Sequence, residues 1–208
     1  KDASDRVADY VTGLKELGPF ASYVTVNISS PNTPGLRGLQ NKPELQTLLT
    51  ALGEAKAKLA RRVPLLVKIA PDLDDHACAD IAELALAHKL DGLIVSNTTT
   101  ARPSTLKNRH ANETGGLSGA PLFVRSTAVL RQVRRLTQGK LTLIGVGGIS
   151  SGADAFAKIK AGATLVQLYT ALTYQGPGLI TRIKRELLEL LTREGHHTIE
   201  TVIGQETA

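Results

Sequence analysis

Tryptophan and methionine are absent from this sequence, and aromatic side chains make up only 3% of it. Aliphatic residues must therefore supply the core, and 208 residues are enough for one full-sized domain. A single cysteine, Cys78, excludes an intrachain disulfide framework and fits a reducing compartment. It lies in the helix-like stretch Asp74–His88, beside the apolar face of Ala77, Ile81, Leu84 and Ala85, and reads as a small buried hydrophobe rather than a nucleophile. No run reaches the ~18–20 apolar residues of a spanning helix, and no signal peptide opens the chain. A concentrated block of charge is also missing. The net charge of +6 is spread over several helices, the pattern of solvated helix faces rather than of a nucleic-acid footprint. Anionic small substrates and an anionic membrane surface both remain compatible with it.

What is present is an alternation of short β-branched runs with longer helical ones. Helices are expected over Ser4–Leu17, Pro43–Arg61, Asp74–His88, Leu122–Thr137, Gly152–Ala161 and Leu179–Arg193, the last basic and amphipathic. Strands are expected over Tyr23–Ile28, Leu65–Ile69, Gly92–Val95, Leu141–Gly145 and Leu165–Leu168. The strands are nearly continuously apolar, as in a parallel sheet covered by helices. A polar loop, Thr98–Gly119, is long enough for a lid or site loop. No linker or repeat divides the chain, so residues 1–208 are expected to form one domain. Two α/β architectures fit. A doubly wound sheet would carry a glycine-rich fingerprint after its first strand, and none is there. A (β/α)8 TIM barrel needs eight strands, so this chain would hold about the last five of them with their helices. The opening Lys1-Asp2-Ala3 has no initiator Met, which also suggests part of a longer barrel.

In a barrel, the carboxyl ends of the strands converge on one mouth, where sites are built. Here those ends carry Asn27-Ile28-Ser29-Ser30, Lys68, Ser96-Asn97-Thr98, Gly147-Gly148 and Tyr169-Thr170. The turn after the first strand, Ser29-Ser30-Pro31-Asn32-Thr33-Pro34-Gly35, is dense in amides, hydroxyls and prolines. Lys68 interrupts an apolar strand. It either snorkels to water from an edge or places its ammonium in the mouth beside electron-rich atoms of a cofactor. Gly145-Val146-Gly147-Gly148 opens onto a helix and suits phosphate, through backbone N–H groups and the helix dipole. The Gln167–Leu172 segment would form the second half of that site. Gly115-Gly116-Leu117-Ser118-Gly119 is either flexible turn chemistry or a place where backbone approaches a ligand. Asn97 either closes its own turn or reads the edge of an amide-bearing ring. Ser30 is the candidate for proton transfer, although no histidine lies near it in sequence, so a Ser-His-Asp hydrolase is unsupported. It would need an activating hydrogen bond or a water relay, and a substrate proton already acidified by a neighbouring carbonyl.

These motifs, with Leu66-Val67-Lys68-Ile69-Ala70-Pro71-Asp72 and Val166–Leu172, resemble dihydroorotate dehydrogenase in order and spacing over essentially the whole chain. Ser30, where class 1 members carry a cysteine base, and the stretch Thr170–Pro177 resemble the class 2, quinone-linked members. The resemblance implies FMN over the mouth with dihydroorotate stacked on it. Ser30 would take the C5 proton while the C6 hydride passes to the flavin, giving orotate, and a quinone such as ubiquinone would reoxidise the flavin. It implies that Asn27, Asn32, Asn97 and Thr98 hold the substrate, with Asn27 also near the flavin. Lys68, Ser96, Gly119, Gly148, Tyr169 and Thr170 would contact FMN, the last three around its phosphate. No metal site is expected. Further flavin contacts and a membrane-docking helical extension, which brings the class 2 enzyme to a bacterial or mitochondrial inner membrane, belong to segments not contained in this sequence. Two alternatives remain: a class 1-like or related pyrimidine FMN oxidoreductase, and a non-catalytic barrel remnant that binds a phosphate ligand.

Overall fold

The computed structural model describes residues 3 and 5–207, so the expected helix start at Ser4 lies outside the described residues. Five strands form one parallel sheet: β1 (Val24–Asn27), β2 (Leu65–Ile69), β3 (Gly92–Val95), β4 (Thr142–Val146) and β5 (Leu165–Gln167). Their spatial order is the chain order, β1-β2-β3-β4-β5, with every neighbouring pair parallel. A doubly wound sheet reverses its strand order at a switch point, whereas a barrel wall advances steadily. The observed order is that of a barrel wall.

Between the strands run α1 (Arg6–Leu17), α2 (Lys42–Ala57), α3 (Asp75–Ala87), α4 (Phe123–Leu136), α5 (Gly152–Lys160), α6 (Thr170–Gln175) and α7 (Gly178–Arg193). Several begin at side-chain caps. The Asp5, Asp74 and Ser151 oxygens accept from the backbone N–H groups of Ala8, Ala77 and Asp154 and satisfy first-turn donors. Leu65, Val67, Ile69, Leu93, Val95 and Leu143 point outward and merge with the helix faces in one large core. Their alternates Leu66, Ile94 and Ile144 form a separate cluster on the other face, capped by Val146. Period-two alternation puts Lys68 on that inner face, one step beyond Leu66. Register then sets Asn27 beside Lys68, and Lys68 beside Ile94.

Most expected elements are present, with shifts of a few residues at their ends. The helix expected to reach Arg61 stops at Ala57 with Lys58 as its C-cap. The Arg61 guanidinium instead holds the Pro19 and Ala21 carbonyls, which draws this segment out of the helix. α6 was not expected. It is six residues long and buries none of them, so it has no apolar stripe to betray it. The long loop is tied at both ends. Thr99 and Leu117 form an antiparallel bridge, and the Arg102 Nη2 donates to the carbonyls of Glu113 and Gly115, each at 2.7 Å. Cys78 is buried in α3, and burial pushes its thiol up to about 11, which keeps it inert at neutral pH.

Candidate active site

The strand ends assemble around a cavity of about 970 Å³. Lys68, Ser96, Asn97, Thr98, Gly119, Gly148, Tyr169 and Thr170 line it, together with Val146, Gln167 and others. Asn27, Ser30 and Asn32 do not line the cavity; they build the wall beside it. Asn27 reaches it through a direct contact, for Asn97 Nδ2 donates to Asn27 Oδ1 at 3.1 Å and to Ser29 Oγ at 3.1 Å. Ser29 Oγ in turn donates to Asn27 Oδ1 at 3.1 Å. The ends of β1 and β3 are thus stitched by an amide–hydroxyl–amide triangle around Ser29, which is fully buried. Asn97 also closes its own turn, its Oδ1 accepting from Thr98 N at 2.8 Å, the first of the two roles expected of it. On the other side of β1, the Tyr10 hydroxyl of α1 donates to the Asn27 carbonyl at 2.7 Å.

Ser30 has no imidazole or carboxylate partner among the described residues. Its Oγ accepts from the backbone N–H of Asn32 at 3.3 Å, a local turn that favours negative charge on the oxygen. Asn32 Oδ1 lies 3.3 Å from where a Cβ on Gly115 would stand, and a Cβ on Gly116 would overlap Thr98 and press on Pro31. The Gly115-Gly116 pair is therefore glycine because two site loops pass against it.

Lys68 is half-buried, and that burial lowers its ammonium below the ordinary lysine range. No carboxylate lies within ion-pair distance of it among the described residues, so its charge faces the cavity uncompensated. The snorkelling alternative is not what the register supports, because β2 is flanked by β1 and β3 and is no edge.

Gly147 and Gly148 adopt φ of 109° and 79°, and a Cβ on Gly148 would lie 2.5 Å from Phe123 Cβ at the start of α4. The backbone N–H groups of Gly148 and Ile149 donate to no acceptor among the described residues. The α5 dipole is a correction. Two donors of its first turn are already taken, with Gly152 N donating to Glu186 Oε2 at 2.5 Å and Asp154 N to Ser151 Oγ at 3.1 Å. Packing of α5 against α7 brings Glu186 over the helix end, so an anion would meet the glycine amides rather than this dipole. At the end of β5, Thr170 Oγ1 donates to Ser118 Oγ at 2.9 Å and joins the loop before α4 to the loop before α6. Tyr169 is 82% exposed.

Residue-type reasoning passed over Arg37 and Asp72. Arg37 Nε donates to the Ser29 carbonyl at 3.1 Å, Nη2 to the Thr98 carbonyl at 2.9 Å and Nη1 to Asp72 Oδ2 at 2.8 Å. Asp72 also accepts from the Thr99 hydroxyl and from Thr100 N at 3.0 Å. Burial alone would raise the Asp72 carboxyl, but the Thr99, Thr100 and Arg37 donors outweigh it and hold the group below the usual carboxylate range. A guanidinium and a carboxylate thereby fasten the loops after β1, β2 and β3 together. The available signal was their placement within the same strand-end motifs that supplied Ser30 and Lys68.

Comparison with known proteins agrees with this architecture. The family model described as dihydroorotate dehydrogenase matches residues 1–191. A protein of Parvibaculum lavamentivorans named dihydroorotate dehydrogenase (quinone) is 58% identical over 204 residues, covering 98% of this chain and 58% of that protein. A relative from Oryza sativa subsp. japonica, named as the mitochondrial quinone form, is 52% identical and covers 98% of this chain and 45% of its own length. The ligand-free dihydroorotate dehydrogenase structure of Eimeria tenella superposes with TM-score 0.97 at 41% identity, over 100% of this chain and 62% of that one. The same enzyme in complex with ferulenol gives TM-score 0.96 at 40% identity, over 99% of this chain and 60% of that one. The five-stranded wall is thus a section of a TIM barrel, and the chain spans less than two thirds of the length of these relatives. It belongs to the dihydroorotate dehydrogenase family.

Proposed function

We propose that the complete protein oxidises dihydroorotate to orotate in pyrimidine biosynthesis with FMN as cofactor and a quinone such as ubiquinone as acceptor. Residues 1–208 would form the later part of its catalytic barrel, while further strands and a membrane-docking extension would come from the rest of the protein. The observation that carries the reading is the Asn27–Ser29–Asn97 triangle, at the same end of three adjacent strands as Ser30 and the cation of Lys68.

The residues present fit FMN. The glycine turn offers the uncommitted amides of Gly148 and Ile149, and Lys68 offers an unpaired cation, all on the cavity wall. When bound, FMN supplies the hydride acceptor and passes the electrons on to the quinone. Ser96 and Gly119 would line it, with Gly148, Tyr169 and Thr170 around its phosphate. Asn27, Asn32, Asn97 and Thr98 hold the substrate ring and carboxylate through paired donors and acceptors. Ser30 Oγ takes the C5 proton, and the Asn32 N–H stabilises the charge that develops on the oxygen. Lys68 would hold the cofactor from the cavity wall and supply positive charge to it. The Arg37–Asp72 pair keeps the base and the substrate-holding loop in register.

Among the described residues no helix is long and apolar enough to cross a membrane. The proposed location is peripheral, on the cytoplasmic side of a bacterial inner membrane or on the mitochondrial inner membrane, as for class 2 enzymes. The test uses the full-length protein with dihydroorotate and, separately, a ubiquinone analogue, fumarate and NAD. Turnover with the quinone alone is expected, and turnover with fumarate alone would sink the quinone assignment. Ser30→Ala should keep its bound flavin yet slow flavin reduction by about 10²–10⁴-fold in stopped flow. A colourless protein indifferent to that substitution would mean a barrel without this chemistry.

A further inference from the structure

Lys158 of α5 is 0% exposed, yet none of the chemistry above uses it. Its Nζ donates to the Ser126 hydroxyl of α4 at 2.6 Å and stands 5.1 Å from the centroid of the Phe123 ring. Since Ser126 Oγ accepts from Lys158, its own proton is free for the Gly147 carbonyl or the Phe123 carbonyl, each at 3.1 Å. Phe123 is also the residue whose backbone sits flush against Gly148. The ammonium therefore lies directly behind the glycine turn, two hydrogen bonds from Gly147.

Its surroundings hold little compensating charge. Asp154, one turn earlier on α5, is the carboxylate that acts on it, but its Oδ2 is occupied by Ser150 N and Ser150 Oγ, each at 2.9 Å. α4 presents a hydroxyl and an aromatic ring. Burial accordingly drives the lysine down to about 7. A buried cation without an ion-pair partner is costly for folding, and an apolar side chain of similar length would serve packing better. The cavity-facing side of the same turn is where an anion would be welcome.

We propose that Lys158, acting through Ser126, is a positioning residue for the phosphate of the flavin. It holds the Gly147–Gly148 turn with its amides toward the cavity and adds positive potential behind them, so that the site prefers a phosphorylated flavin over the dephosphorylated form. This rests on the flavin reading of the cavity.

The test compares FMN with riboflavin, which lacks the phosphate, on flavin-stripped full-length protein, with affinities read from flavin fluorescence. Wild type should prefer FMN. Lys158→Met should weaken FMN by about tenfold, the scale of one charge at partly screened short range, and riboflavin by less than about twofold. Ser126→Ala, a smaller change that leaves the lysine in place, should reduce the same preference and gives a second, independent test. Equal weakening of both ligands, or an unchanged preference in both variants, would overturn the proposal while leaving the flavin reading standing. Wild type that binds neither ligand would overturn both.

Discussion

At the scale of single residues, the two lysines show how one physical effect acts in two settings. Burial lowers both, but Lys68 opens onto the cavity whereas Lys158 is sealed between α4 and α5. The sealed one has a consequence for stability. Its folded value, about 7, is below the ordinary 10.5, so the unfolded chain binds more protons between those values and stability rises with pH across that window. Lys158→Met removes the penalty. It should raise the melting temperature most below pH 7 and progressively less toward pH 10, which thermal melts of the full-length protein in a pH series would measure. A uniform change across pH would mean that the effect is packing alone. Lys68 was legible in the sequence because a charge in an apolar strand is conspicuous. Lys158 was not, since a lysine within an expected helix is indistinguishable from the charge spread over solvated helix faces.

At the scale of elements, strands and long helices were legible because burial imposes a period on them, as in Leu45, Leu48, Leu49 and Leu52 of α2. α6 was not, having no buried face. The active wall divides the same way. Ser30, Asn27 and Asn97 stand out by residue type at strand ends, but the pairing of Arg37 with Asp72 spans 35 residues and depends on loop shape. Asp72→Asn tests that pairing. Loss of charge-assisted hydrogen bonds should cost about 1–3 kcal/mol at pH 7. Because the folded carboxyl lies below its ordinary 3.8, its contribution is present above that value and lost as pH falls through the depressed one. The variant and wild type should thus converge in urea melts in strong acid. Their kcat should differ at neutral pH by tenfold or more with flavin still bound, since the loops of Ser30 and Thr98 lose their common anchor. Equal kcat would show that the clamp serves folding only.

At the scale of the whole molecule, the cavity belongs to the wall as a unit, and ligand binding should be felt throughout it. FMN at one hundred times its dissociation constant should stabilise the flavin-stripped full-length protein by about 2.7 kcal/mol, seen as a rise of several degrees in the melting temperature. Gly148→Ala should abolish most of that rise, because a Cβ there meets Phe123 and the φ of 79° is unfavourable for an L side chain. An undiminished rise would place the phosphate elsewhere. The barrel itself was legible from five apolar strands in sequence, while the closeness of their loops was not. That closeness has a dynamic meaning. One carboxylate, Asp72, and one guanidinium, Arg37, bind the loops after three successive strands, so none of the three can loosen without straining the other two. The amides of Asn97, Thr98 and Thr100 should then exchange their hydrogens through a single shared opening, with one common free energy, rather than fraying independently as surface loops do.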